Sequence, residues 1–264
     1  MLKKILESYK KGELSEEEAE EKIIKLFYEE SDTFFLDLFR EKRIGFPEVV
    51  FAEGKSNEQL ISIVRKILDK KDIVIISRVT TEKQKILNKV FSNFKIRKAN
   101  NVVIIKKDIT PPTETLGTVG IITGGTSDVP YAEECAIILE ELGVNVIRAY
   151  DVGVAGIHRP VLALRGMKKV ANLLIVFAGM EGILPTLIAS LTDLPIIAVP
   201  TPIGYGLGGE GEGALTTMLQ SCVPGILVVN VGNTIGAAAG AIRILREIKR
   251  RGQVGKDKKN KKGN

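Results

Sequence analysis

The chain has no tryptophan, a single histidine, two cysteines and only 5% aromatic residues among its 264 positions. Proteins that bind single-stranded nucleic acid interleave basic residues with aromatic side chains on which bases stack, and no such pattern occurs here. Cys135 and Cys222 lie far apart, without the paired spacing that indicates a zinc site or a disulfide framework. We therefore expect a protein of a reducing, cytoplasmic compartment that has no nucleic-acid partner.

Long apolar runs are also missing. No stretch reaches the roughly 18 uninterrupted apolar residues that a membrane span requires, and the charged amino terminus lacks the apolar core of a signal peptide. The formal net charge is +6, but residues 248–264 carry eight Lys or Arg and one Asp, so the rest of the chain is close to neutral. These features predict no membrane partner, and a disordered basic tail over residues 251–264.

Hydrophobic periodicity predicts two α/β domains. Residues 1–44 have the pattern of helices, and residues 45–109 alternate apolar strands with helical segments, as in a small α/β domain. Two adjacent prolines mark residues 110–117 as a linker. Over residues 118–250, five apolar runs alternate with helices, which predicts three layers, with a parallel sheet covered on both faces. The predicted strands of this domain are residues 118–123, 144–150, 172–178, 195–200 and 226–231.

The segments that follow these strands are rich in small, polar and charged residues. In a parallel sheet, ligands bind beyond the carboxyl ends of the strands, so we expect these segments to meet at one edge. The first segment links a buried strand to a helix N-terminus, where free N–H groups favour a phosphate, although Ser127 and Asp128 equally suit helix capping. The candidate binding residues are Gly124, Gly125, Thr126, Ser127, Asp128, Asp151, His158, Arg159, Gly179, Met180 and Asn233.

Several candidate residues have two interpretations. His158 suits an anion contact or proton transfer, yet a lone histidine is often structural. Glu181 is either a base or one of the acids that commonly begin a helix. Cys222, at a helix end, is either a nucleophile or a packing residue, whereas Cys135 lies in an apolar helical face and is predicted to pack. Residues 204–213 contain six glycines without a Walker motif, which predicts a mobile flap.

These residues, taken in order, resemble known families. Thr126-Ser127-Asp128, His158-Arg159-Pro160, Ala178-Gly179, the strand over 195–200 and Gly232-Asn233 resemble aminoimidazole ribonucleotide carboxylases over roughly residues 118–247. The stretches 45–55, 150–159 and 177–182, together with Met180-Glu181 and Cys222, resemble the LarB family over nearly the whole chain except the basic tail. That family comprises pyridinium-3,5-biscarboxylic acid mononucleotide synthases, which act in nickel-pincer cofactor synthesis for lactate racemase.

The resemblance implies an enzyme that carboxylates nicotinic acid adenine dinucleotide with carbon dioxide or bicarbonate and releases AMP, with Mg²⁺ assisting hydrolysis of the phosphoanhydride. A pyridinium ring is electron-poor and attacks carbon dioxide only after a nucleophile has added, and a thiolate can both add and leave. Cys222 is therefore the predicted nucleophile, and Glu181 the base that removes the proton from carbon 5. The turn with Ser127 would hold ribose or phosphate, and His158 and Arg159 a carboxylate or carbon dioxide.

Two other functions stay open on sequence grounds. One is a purine-pathway carboxylase or mutase that acts through His158 and uses Cys222 only for packing. The other is a dinucleotide sensor that binds its ligand without consuming it. The carboxylase resemblance also implies a homo-oligomer with sites between subunits, such as an octamer, while the magnesium ligands cannot be assigned from the sequence.

Overall fold

A computed structural model describes residues 2–31, 34–37, 40–107 and 115–260. The chain divides into two compact units, residues 1–96 with 103–109 and residues 97–102 with 110–264. Up to residue 107 it forms α1 (Leu2–Lys10), α2 (Glu16–Phe27), β1 (Tyr28–Ser31), β2 (Phe34–Asp37), α3 (Arg40–Ile44), β3 (Val49–Phe51), α4 (Asn57–Lys70), β4 (Ile73–Ser77), α5 (Thr81–Val90), β5 (Lys95–Ala99) and β6 (Val102–Lys106). The predicted smaller α/β domain with a helical amino terminus is confirmed.

Three strands of this first part were not predicted. Residues 28–37, expected to be helical, include the antiparallel hairpin of β1 and β2, and their aromatic residues favour strands over helices. Strand β5 has the charged sequence Lys-Ile-Arg-Lys-Ala and forms the edge of the sheet β3-β4-β6-β5. Edge strands commonly carry lysines, so β5 lacks the apolar run by which buried strands are found. The predicted linker residues 110–114 lie outside the described residues.

From residue 115 onward the chain alternates strands and helices. It forms β7 (Thr118–Thr123), α6 (Val129–Glu141), β8 (Asn145–Ala149), α7 (His158–Met167), β9 (Leu173–Ala178), α8 (Leu184–Ala189), β10 (Ile196–Pro200), α9 (Glu212–Leu219), β11 (Ile226–Val228) and α10 (Thr234–Asn260). The five strands make a parallel sheet in the order β11-β10-β9-β7-β8. This confirms the predicted parallel sheet, and each of its strands begins or ends within a few residues of the predicted position.

Helices cover both faces of the parallel sheet. Helices α7, α8 and α9 share one buried cluster with Ile122 of β7. The neighbouring Ile121 is equally buried and lies outside that cluster, because successive strand residues point to opposite faces. Right-handed crossovers place α6 on this second face, since β8 lies on the opposite side of β7 from β9, and α10 packs against α6.

The sequence prediction was wrong about the end of the last helix. We expected the helix to end at residue 250 and a disordered tail to follow, but α10 continues to Asn260. The stretch contains no proline and several lysines and arginines, which are good helix formers. Residues 261–264 lie outside the described part of the chain. None of the described helices is long and apolar enough to span a membrane.

Candidate active site

A cavity of about 430 Å³ opens at the carboxyl ends of β7 and β9. The chain runs from β7 to β8 in one direction and then crosses back to β9 and β10, so the strand order reverses between β7 and β9. Crevices at such reversal points are where open parallel sheets bind ligands. The cavity brings together these predicted residues: Gly124, Gly125, Thr126, Ser127, Asp128, Asp151, Gly179, Met180 and Glu181.

The turn after β7 is held by backbone contacts. Gly124 N–H donates to Phe177 O of β9 over 3.0 Å. A Cβ on Gly153, in the turn after β8, would lie only 2.7 Å from Gly124 O, so the two turns meet backbone to backbone. Thr126 and Ser127 are exposed at the cavity, immediately before α6 begins. Their position at a helix N-terminus suits an anionic ligand group.

Asp128 is buried beneath this turn and joins three strand ends. Its Oδ1 accepts a hydrogen bond from Thr201 Oγ1 at 2.6 Å, and its Oδ2 accepts one from Gly125 N–H at 2.9 Å. Burial raises the pKa of Asp128 above its ordinary value, while hydrogen bonds from Thr201 and from the Gly125 and Gly179 N–H groups lower it. The carboxylate therefore organises the turns around the cavity, a role that was not predicted for it.

Arg159 braces the turn after β8 at the rim of the site. Asp151 has a left-handed backbone, with φ of 56°, and its N–H donates to Thr123 Oγ1 over 3.0 Å. Arg159 Nη1 donates to Asp151 O at 2.9 Å and lies 3.5 Å from Asp151 Oδ2. His158 is exposed at the start of α7, and neither it nor Arg159 lines the cavity. A ligand would reach these two side chains only by extending past the cavity.

The turn after β9 carries Met180 and Glu181. Met180 has a φ of 50°, and its N–H donates to Ile203 O over 2.5 Å. Gly179 and Gly182 allow the turn to pack closely, because a Cβ on Gly182 would lie 2.6 Å from the backbone of α9. Glu181 is exposed and lines the cavity. A carboxylate is thereby held on a rigid turn in the same cavity as the glycine turn.

The structure does not bring Cys222 and Asn233 into this cavity. Cys222 is exposed between the end of α9 and the start of β11, and so lies towards the amino ends of the strands. Glu181 follows a strand and lies at the carboxyl edge. Asn233 Oδ1 accepts from Gly236 N–H at 2.8 Å and thereby caps α10. Cys135 is buried, as predicted for a packing residue, and burial raises the pKa of its thiol.

Two residues of this region, Thr201 and Ile203, were not singled out from the sequence. Ile203 lines the cavity, and Thr201 is fully buried below it as the donor to Asp128. Both follow β10, so the strand-end rule gave their neighbourhood but not their roles. Across the described residues, no three His, Cys, Asp or Glu side chains come together as metal ligands.

Two family models match the chain. The LarB/PurE-like N-terminal domain matches residues 28–107, and AIR carboxylase matches residues 118–262. The fold and the matched domains define an enzyme class of the carboxylase or mutase type. An uncharacterized protein of Methanocaldococcus jannaschii is 40% identical over 249 residues, which cover 91% of this chain and 95% of that relative. The chain belongs to the LarB family.

Enzymes named as mutases or carboxylases of aminoimidazole ribonucleotides are similar over a smaller part of the chain. The N5-carboxyaminoimidazole ribonucleotide mutase of Pyrococcus horikoshii is 38% identical over 132 residues, or 48% of this chain and 71% of that protein. The phosphoribosylaminoimidazole carboxylase of Saccharomyces cerevisiae is 30% identical over 132 residues, which cover 48% of this chain and 22% of that protein. The similarity to these enzymes thus extends over about half of the chain.

Proposed function

We propose that the protein carboxylates the pyridinium ring of nicotinic acid adenine dinucleotide at carbon 5 and hydrolyses its phosphoanhydride. The products are pyridinium-3,5-biscarboxylic acid mononucleotide and AMP, for nickel-pincer cofactor synthesis. The observation that carries the proposal is Glu181, a carboxylate presented to the same cavity as a glycine turn at a helix N-terminus. Membership of the LarB family supports the proposal. The LarB/PurE-like N-terminal domain matches residues 28–107, whereas the similarity to the purine-pathway mutase extends over only 48% of the chain.

The cavity supplies groups that can bind the nicotinic acid mononucleotide half of the dinucleotide. The N–H groups before α6 and the hydroxyls of Thr126 and Ser127 hold a phosphate or ribose. Arg159 lies at the rim, beside Asp151, and its planar guanidinium suits a carboxylate of the ligand. His158 stands beside it at the start of α7. Magnesium remains a proposed aid to phosphoanhydride hydrolysis, and it commonly binds through substrate phosphates with few protein ligands.

The carboxylation proceeds in four steps that balance without an oxidant. The thiolate of Cys222 adds to carbon 4, and the ring becomes an enamine. Carbon 5 then attacks carbon dioxide, forming the new carbon–carbon bond. Glu181 accepts the proton from carbon 5. The carbon–sulfur bond breaks, the thiolate leaves and the aromatic ring is restored, so one carbon dioxide is consumed and one proton released.

In this proposal the thiol comes from a second copy of the chain. Cys222 lies towards the opposite edge of the sheet from Glu181, and its side chain is exposed. Mixing a Cys222→Ala variant with a Glu181→Gln variant tests the arrangement. If the site is shared, mixed oligomers contain some sites with both intact groups, and activity returns although each variant alone is inactive. No recovery in verified mixed oligomers would contradict a shared site.

The activity itself is tested by incubation with nicotinic acid adenine dinucleotide, Mg²⁺ and labelled bicarbonate, followed by mass spectrometry of the small molecules. Labelled dicarboxylated mononucleotide together with AMP supports the proposal. The second candidate function, a mutase acting on N5-carboxyaminoimidazole ribonucleotide, is favoured by the 38% identical relative. It predicts turnover of that ribonucleotide, unchanged dinucleotide and no loss of activity in Cys222→Ala.

A further inference from the structure

Met180 combines backbone strain with a place in the cavity wall. Its φ of 50° lies in the left-handed region, which residues other than glycine rarely adopt and which glycine adopts freely. The other non-glycine residue with a positive φ in the cavity wall is Asp151, whose φ is 56°. Non-glycine residues persist in this region only when the surrounding structure fixes them, and such positions cluster at ligand sites.

The surroundings of Met180 do fix its backbone. Its N–H donates to Ile203 O, and a Cβ on Gly179 would lie 2.8 Å from Thr201 Oγ1. On the other side, Gly182 packs directly against Ala214 of α9. Neither flanking glycine can be replaced without moving a neighbour, so the turn cannot relax. Met180, which is 49% exposed, is consequently held among the residues that line the cavity.

The thioether has a chemistry that nothing else in this wall provides. No aromatic side chain lines the cavity, and its other exposed residues are small, polar or acidic. A methionine sulfur is polarisable and makes favourable contacts with aromatic rings. Its electron-rich sulfur is attracted more strongly by a cationic, electron-poor ring than by a neutral, electron-rich one. Glycine at position 180 would remove the strain but would also remove this contact.

From these observations we infer that Met180 is a specificity-determining residue, whose thioether packs against the aromatic cation of the ligand. It selects a pyridinium nucleotide over a neutral aminoimidazole nucleotide. The inference rests on the proposed function, because the pyridinium ligand comes from it. It adds the residue that distinguishes the two ring types within a cavity of AIR carboxylase type.

The test compares Met180→Gly and Met180→Leu with wild-type protein, with Arg78→Gly as the matched control. Arg78 has a φ of 55° and lies outside the cavity, so its replacement relieves similar strain elsewhere. Both glycine variants should raise the melting temperature. Only Met180→Gly should weaken binding of nicotinic acid mononucleotide, by about 2- to 10-fold by calorimetry. Met180→Leu, which keeps the apolar volume and loses the sulfur, should lie between it and wild type.

Ribose 5-phosphate, which has no aromatic ring, separates a ring contact from a general distortion. Its affinity should be the same in wild-type and Met180→Gly protein. The inference is overturned if Met180→Gly binds nicotinic acid mononucleotide as wild type does, or if it loses affinity for both ligands equally. Binding without turnover distinguishes the two ideas: wild-type protein that binds the pyridinium nucleotide but never carboxylates the dinucleotide contradicts only the proposed function. Wild-type protein that binds aminoimidazole ribonucleotide and no pyridinium ligand contradicts both.

Discussion

Thr201→Val removes a single hydroxyl from below the cavity and leaves the shape of the side chain almost unchanged. Thr201 is fully buried, and its Oγ1 donates to Asp128 Oδ1 over 2.6 Å. Hydrogen bonds to charged groups contribute about 1.5–3 kcal/mol to stability. We therefore expect the free energy of unfolding to fall by about 2 kcal/mol. In a domain of this size that corresponds to a melting temperature lower by about 4–8 °C.

The loss of stability in Thr201→Val should also depend on pH, and the pKa of Asp128 determines whether this loss grows or shrinks as the pH rises. Burial raises this pKa, and the bond from Thr201 lowers it. A carboxyl whose pKa is raised on folding contributes stability that is fully present below its unfolded pKa and is lost as pH rises through its folded pKa. Removing the Thr201 donor raises the folded pKa further. The deficit should therefore be small in acid, where Asp128 is protonated, and reach its full size at neutral pH.

Scanning calorimetry of wild type, Thr201→Val and Thr201→Ser, in acid and at neutral pH, measures this effect. Thr201→Ser keeps the hydroxyl and loses one buried methyl group, which costs about 1 kcal/mol. At neutral pH the valine variant should be the less stable of the two, and only its deficit should shrink in acid. A serine variant that is equally unstable, or a valine deficit of the same size at both pH values, would refute the reasoning.

Three further changes test the site. Cys222→Ala should abolish carboxylation while dinucleotide binding, measured by calorimetry, is largely kept; retained carboxylation would exclude the covalent mechanism. Glu181→Gln should accumulate the thioether adduct, because addition needs no base but restoration of the ring does, and an intact-mass spectrum without the adduct would count against Glu181 as the base. Gly153→Ala places a Cβ 2.7 Å from Gly124 O, so it should destabilise the fold by about 1–3 kcal/mol and raise the KM for the dinucleotide; unchanged kinetics would contradict the close fit of the two turns.

Sequence analysis correctly predicted those helices and strands whose hydrophobic pattern matches their burial in the structure. Strand β7 occupies the predicted residues, because its apolar run, followed by a glycine turn, leaves little ambiguity. Edge strand β5 has no apolar run, and its pairing with β6 depends on a partner that the local pattern does not reveal. The last helix was cut short in the prediction because lysine-rich composition was taken as disorder.

That the candidate site residues lie close together could be predicted, because it follows from the topology of the sheet. Parallel strands bring their carboxyl ends together, so the turns with Ser127, Asp151 and Glu181 meet without any knowledge of the side chains. The same rule places Cys222, which precedes a strand, away from that edge. The partnership of Thr201 with Asp128 spans 73 residues of sequence and depends on burial depth, which periodicity does not reveal.

Strand β9 reaches the cavity with its last residue, Ala178; every residue of the strand is buried, and it pairs with a parallel strand on each side. Amide hydrogens in such a strand exchange with solvent only when the whole unit opens. The turns before α6 and after β9 should exchange through smaller, local openings, because they lie outside the strands and carry the exposed residues Thr126, Ser127 and Glu181. A bound ligand should therefore slow deuterium uptake in residues 124–128 and 179–182 while β9 stays unchanged. Hydrogen exchange can thus locate the bound ligand, with the unchanged uptake of β9 as the internal reference.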